Sequence, residues 1–269
     1  AGENLNFSEK GVDEVYKKVI LRLWNVYKFY ELYSERKIKA KTLKEIKSAN
    51  VLDKWILIKL SQLTVEVSKA LDNYELDRAS RPIADFIDDL STWYIRRSRT
   101  RFKIPYASHL HKEDEKAKKD ADDAIKTTKF VLVELSKIIA PFIPFMAEAI
   151  YQQIANRKAQ SVHLESWSVV DKRAIDRKLL KQMAKIRRLA SLALEARAKT
   201  QIKVRQPLSE LRIKNAELRN KNELLEILAD EINVKKIIFD AKIKNEIELN
   251  TKITPELKAE GDLRELARM

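Results

Sequence analysis

Apolar residues recur at Val15, Val19, Leu23, Val26 and Tyr30, steps of three and four that predict an amphipathic helix over Gly11–Lys37. Trp24, Tyr27 and Phe29 flank that stripe and read as an aromatic belt in the core. Residues 1–9 read as irregular, and Lys39–Ser48 as a polar connection. Ser48 or Asn50 can cap a second helix that runs to about Tyr74 and ends at Asn73, with Ile56, Leu60, Leu63, Val67, Ala70, Leu71 and Tyr74 on its buried face. A third helix starts near Leu76, with Ile83, Phe86, Ile87, Leu90, Trp93 and Tyr94 as its apolar residues. Pro82 is a candidate kink in it, and the helix must stop before Pro105. His109–Lys119 is a charged connection or a helix start.

From Asp120 to about Ala155 the pattern is helical again, broken at Pro141 and Pro144 and resuming over Met146–Ile154. Ser161–Trp167 alternates and predicts a short extended stretch. Asp171–Thr200 is the clearest amphipathic helix, with Ile175, Leu179, Met183, Ile186, Ala190 and Ala193 on one side. Arg173, Arg177, Lys181, Lys185 and Arg188 lie on the other. After Pro207 the texture changes. Leu208–Ile213, Val234–Phe239 and Glu246–Leu249 are β-like runs, with a helical pattern at Ala216–Glu231 between the first two. Thr254 followed by Pro255 is a capped helix start, and that helix still runs at Met269. The expected fold is mainly α: a helical bundle over residues 1–205, then a small, truncated α/β unit over 206–269. Both ends read as those of a piece of a longer chain.

Composition sharpens this picture. Three glycines and six prolines in 269 residues leave few turns, consistent with long helices. There is no cysteine, which excludes disulfides, thiolate metal sites and a cysteine nucleophile. No apolar run reaches membrane-spanning length and no signal peptide opens the chain, so no membrane partner and a cytoplasmic location are expected. The net charge of +14 points to an anionic partner. The charge is concentrated. Residues 172–205 hold twelve Lys/Arg against two acids, whereas 210–269 hold twelve against thirteen.

Catalytic chemistry is not legible. Three glycines cannot build a Gly-rich phosphate loop. His109 and His111 stand two apart in a charged stretch, a poor metal pair. The acidic doublets Asp88–Asp89 and Asp122–Asp123 read as solvated helix faces, and His163 as a local packing or bonding residue. No catalytic centre, no metal and no cofactor is expected within the chain.

Leu90–Phe102 stands apart. Trp93 and Tyr94 lead into Arg96, Arg97, Arg99 and Arg101, with Lys103 beyond. On a regular helix, Arg96, Arg99 and Lys103 fall within about 60° of one another, while Arg97 and Arg101 form a second ridge about 100° away. Guanidinium groups grip phosphate oxygens and stack on bases, so two cationic ridges suit an RNA strand. A solvated basic face paired with Asp85, Asp88 and Asp89 would read the same way. Trp93 and Tyr94 fit half-buried anchors better than stacking platforms. Lys199, Lys203 and Arg205, with Arg197 before them, make a second candidate surface that would extend the first into a groove if the two were adjacent.

Several stretches resemble isoleucyl-tRNA synthetase, a class I aminoacyl-tRNA synthetase family. They are Leu52-Asp-Lys-Trp-Ile-Leu57, the Leu90–Phe102 segment, Ala140-Pro-Phe-Ile-Pro-Phe-Met-Ala-Glu-Ala-Ile-Tyr151, Ser161-Val-His-Leu-Glu-Ser-Trp167, Lys203-Val-Arg-Gln-Pro-Leu208 and Thr254-Pro-Glu-Leu-Lys-Ala-Glu-Gly261. Ser168 stands where that family usually has proline. The first and third are shared with valyl and leucyl enzymes; the arginine-rich helix and the last two segments point to the isoleucyl branch. The resemblance implies the C-terminal anticodon-binding region, a class I helical bundle with part of a junction domain. It implies a partner in the anticodon stem-loop of tRNA(Ile), and catalytic and editing domains elsewhere in the same polypeptide. ATP and magnesium would serve the full-length ligase and not this piece. The tRNA-binding residues it implies are Trp93, Arg96, Arg97, Arg99 and Arg101, joined by Lys203 and Arg205; the charge pattern adds Lys199 to them. The competing reading is a purely structural helical domain.

Overall fold

The computed structural model describes residues 8–33, 46–103, 115–155, 160–170 and 175–266. They fall into two compact units, Ala1–Asp176 and Arg177–Met269. Most of the expected Lys39–Ser48 connection lies outside the described residues, as do Pro105, His109, His111, Arg173 and Met269.

The first unit is a helical bundle. Helix α1 (Glu9–Val15) passes through a π turn at Tyr16–Ile20 into α2 (Leu21–Tyr33). Burial begins only in α2, where Leu23, Val26, Tyr27 and Tyr30 are buried; no residue of α1 or of the π turn is buried, and Val15 is 58% exposed. Trp24 leaves the expected core belt: it is 37% exposed, with the Lys28 ammonium 5.2 Å from its ring centroid. Helix α3 (Val51–Asp72) starts where the Asn50 side chain accepts from the Leu52 N–H at 2.9 Å. It ends with Tyr74 in the left-handed region (φ 58°), which lets the Glu75 N–H reach the Ala70 carbonyl at 2.8 Å.

Helix α4 (Leu76–Asp88) continues through a π segment, Asp89–Ile95, into α5 (Arg96–Lys103). Pro82 sits inside α4. Side chains take up carbonyls around the π segment: Thr92 Oγ1 donates to the Asp88 carbonyl at 2.8 Å and Arg96 Nε to that of Thr92 at 2.7 Å. Helix α6 (Glu115–Ile139) stops before Pro141, and α7 (Pro144–Ala155) opens on Pro144, where a missing N–H costs nothing. Helix α3 packs on α4 and α6, and α6 on α5 and α7. Trp55, Ile56, Val67, Phe86, Ile87, Leu90, Leu132, Leu135 and Ile150 fill the space between them.

Ser161–Trp167 is not the extended stretch its alternation predicts. Glu148 on α7 accepts from the Val162 N–H at 2.7 Å and from the Ser161 hydroxyl at 3.0 Å, curling Val162–Leu164 into a single 3₁₀ turn. Trp167 then donates from Nε1 to the Ser68 hydroxyl at 2.8 Å, fastening the segment to α3.

In the second unit, α8 (Arg177–Lys199) precedes β1 (Leu208–Ile213), α9 (Asn222–Ile232), β2 (Val234–Phe239), β3 (Ile247–Leu249) and α10 (Pro255–Leu266). The sheet order is β2-β1-β3, with β2 parallel and β3 antiparallel to β1. The parallel pair needs a crossover, which α9 supplies. The sequence placed α8 with the bundle and the boundary after residue 205. Instead its apolar stripe of Met183, Ile186, Leu189, Ala190 and Ala193 is buried and α8 packs on α9 and β3, so it belongs to the α/β unit.

Candidate nucleic-acid interface

Helix α5 is short and almost wholly polar, so its orientation is set by what its few inward side chains meet. Phe102 is fully buried, edge-on to Phe29 with centroids 5.0 Å apart, and Tyr94, Ile95 and Ser98 are buried with it. That orientation turns Arg96, Arg99 and Lys103 outward and leaves Arg97 and Trp93 half-buried. Arg99 and Lys103 make no ion pair with any described residue. One of the two ridges expected from spacing is therefore a solvent-facing cationic edge, suited to charge-assisted bonds to phosphate. Two of the three acids suggested as its partners are engaged elsewhere: Asp88 accepts from Arg22, and buried Asp89 pairs with Lys59 at 3.1 Å.

The other ridge faces the interior, and Arg101 is not available to RNA. It is 7% exposed and bound to two carboxylates. Its Nη1 and Nη2 donate to the Asp53 oxygens at 2.8 and 2.7 Å, and its Nε donates to Asp120 at 2.7 Å. Asp53, fully buried, also accepts from the Tyr94 hydroxyl at 2.8 Å and the Ser48 hydroxyl at 2.5 Å. Asn50 Nδ2 donates to Asp120 at 3.3 Å. Burial works against the charge on Arg101, but the bonds to Asp53 and Asp120 outweigh it and hold its pKa above the ordinary arginine value. Burial, and then the charge of Asp53, push the Tyr94 hydroxyl well above its usual range. This network ties the start of α3, the whole of α5 and the start of α6 into one piece. It positions the outward ridge without forming part of it.

The second candidate surface is built on another buried arginine. Arg197, 1% exposed, donates to the carbonyls of Lys203 at 3.0 Å, Gln206 at 2.9 Å and Asn233 at 2.9 Å. It has no ion pair with a described residue, and burial pulls its pKa down to about 10, so it remains charged near neutrality. Asn233, left-handed at the end of α9, donates from Nδ2 to the carbonyls of Val204 and Arg205. Gln206 donates to the Leu257 carbonyl at 2.7 Å and lies against Gly261, where a Cβ would stand 2.4 Å from its Oε1. The 203–206 turn is thus held by its own carbonyls and by the Gln206 side chain. Lys203 is exposed; Arg205 pairs with Glu265 at 3.1 Å and Lys199 with Glu195 at 2.7 Å. The two candidate surfaces belong to different units.

Asp53, Asp120 and Asn233 are not among the site residues that the sequence singles out, and Arg197, expected as a surface cation, is a buried clamp. Asp89 and Asp123, read as solvated, are buried, and burial raises the pKa of Asp123. His163 is exposed. Among the described residues no group of three His, Cys, Asp or Glu could hold a metal ion. No helix among them is long and apolar enough to cross a membrane.

Residues 53–213 match the family described as the anticodon-binding domain of tRNA ligase. The chain is 40% identical over 260 residues to the isoleucine–tRNA ligase of Clostridium acetobutylicum, covering 95% of this chain and 24% of that protein. It is 39% identical over 260 residues to that of Clostridium novyi, and 37% over 289 aligned residues to that of Dehalococcoides mccartyi strain CBDB1, covering 98% of this chain and 27% of that protein. It spans about a quarter of the length of these relatives.

Proposed function

Because the chain belongs to the anticodon-binding domain family of tRNA ligases, we propose that it is the tRNA-recognition region of an isoleucine–tRNA ligase. The observation that carries the reading is the outward ridge of Arg96, Arg99 and Lys103, braced from behind by the Arg101–Asp53 network. The anticodon stem-loop of tRNA(Ile) is the ligand: cations of the ridge take phosphates, and Arg97 and Trp93 at its inner margin meet the loop. Lys199, Lys203 and Arg205 are contributors from the second unit. The first two are exposed, while Arg205 would exchange its Glu265 partner for phosphate.

The whole protein would join isoleucine to tRNA(Ile) with ATP and magnesium, in the cytoplasm, through catalytic and editing domains outside this chain. Anisotropy titration of labelled tRNA(Ile) transcript at about 0.1 M salt tests the recognition. A transcript altered only in the anticodon should bind at least about tenfold more weakly, since a lost base contact costs roughly 1–3 kcal/mol. Equal affinity for the two would remove the anticodon from the reading, and no binding to either would overturn it.

A further inference from the structure

The second unit carries a charged concavity separate from the 203–206 turn. The first turns of α8 and the segment between β1 and α9 enclose a cleft of about 650 Å³. Arg177, Lys178 and Lys181 line its α8 wall, and Arg219 and Lys221 the opposite one. Glu217 is the acid among its described lining residues, and Lys185 engages that carboxylate at 2.5 Å.

The far wall is preformed. Asn215 accepts from the Glu217 N–H at 2.8 Å, and the Arg219 and Lys221 N–H groups bond back to Ala216 and Leu218 at 2.9 Å. The Arg219 guanidinium lies 5.6 Å from the Phe239 ring centroid, a contact that orients the group while its N–H edges remain available. Gathering like charges on two facing walls is unfavourable in isolation and is relieved by a polyanion.

We propose that this cleft is a second RNA contact site, holding consecutive phosphates of one strand between its two walls. The cations stand on two facing walls, three on α8 and two on the opposite side, which fits a strand passing between them. The inference rests on the reading that the chain binds tRNA, and adds a contact that the α5 ridge does not supply.

Filter binding of the full chain to tRNA(Ile) transcript, repeated from low to high salt, tests it with three double variants. Arg177→Gln/Lys181→Gln removes two of the three cations of the α8 wall and Arg219→Gln/Lys221→Gln both cations of the opposite one; Lys252→Gln/Lys258→Gln removes the same charge from exposed positions elsewhere in the unit. Each wall variant should weaken binding about tenfold near 0.1 M salt and flatten the log–log salt slope by about one to two, with the third close to the parent. Thermal melts matching the parent exclude misfolding as the cause. Equal losses in all three variants, or none in the wall variants, would overturn the cleft while leaving the anticodon reading intact. No RNA binding by the parent chain would overturn both.

Discussion

Arg101→Ala should destabilise the helical bundle by about 3–5 kcal/mol, because it strands the buried carboxylate of Asp53 without its counter-charge. Urea unfolding followed by far-UV circular dichroism reads this directly. Asp53→Ala should cost a comparable amount for the reciprocal reason, leaving the guanidinium with Asp120 alone. The double variant should lose clearly less than the sum of the two singles, since each single includes the penalty of an uncompensated partner. Arg101→Lys should recover little: an ammonium is a point charge and cannot reproduce a fork bonded to two carboxylates at once. A loss below about 1 kcal/mol, accompanied by a large loss of RNA affinity, would instead make Arg101 a ligand-binding residue.

Arg197→Ala should cost the second unit about 3 kcal/mol and loosen the turn that carries Lys203 and Arg205. The guanidinium makes three charge-assisted bonds to carbonyls, each worth more than a neutral hydrogen bond, and its stem is packed in the core. Hydrogen exchange gives the local signature. The Gln206 N–H, bonded to Lys203 at 3.0 Å, and the Ile202 N–H, bonded to Arg197 at 3.0 Å, should lose protection well before the strand amides of β1. Protection unchanged at these two amides would show that the turn holds itself.

Both arginines show what the sequence makes legible and what it hides. Elements set by local rules can be read from it: β1 and β2 fall on Leu208–Ile213 and Val234–Phe239, and α10 opens on Pro255 behind Thr254. The direction in which a charged side chain points is set by distant partners. Asp53 and Arg101 are 48 residues apart, and nothing near Arg101 announces the carboxylate. The π segment at Asp89–Ile95 adds to the difficulty: spacing sorts the arginines into ridges within α5, but the 100° advance that would relate those ridges to the buried face of α4 does not hold through it.

A signal was nevertheless present. Asp53 continues the buried stripe of Ile56, Leu60, Leu63 and Val67 by a step of three. Arg197 continues Met183, Ile186, Ala190 and Ala193 by a step of four. A charge in register with an apolar face needs a buried partner, an opposite charge for Asp53 and carbonyls for Arg197. The cover of α8 is hidden for a related reason: its stripe is unmistakable, but what covers the stripe lies later in the chain, in α9 and β3. The curl at Ser161–Leu164 was hidden in the same way, since Glu148 on another helix imposes it.

The salt dependence of tRNA binding by Arg96→Gln/Arg99→Gln tests most directly whether the outward face of α5 is the RNA contact. Both side chains are exposed, so the fold should melt as the parent does. Two lost phosphate contacts should flatten the log–log slope against salt by about 1.4–1.8. A slope indistinguishable from the parent, with the fold intact, would contradict the assignment of this ridge to RNA.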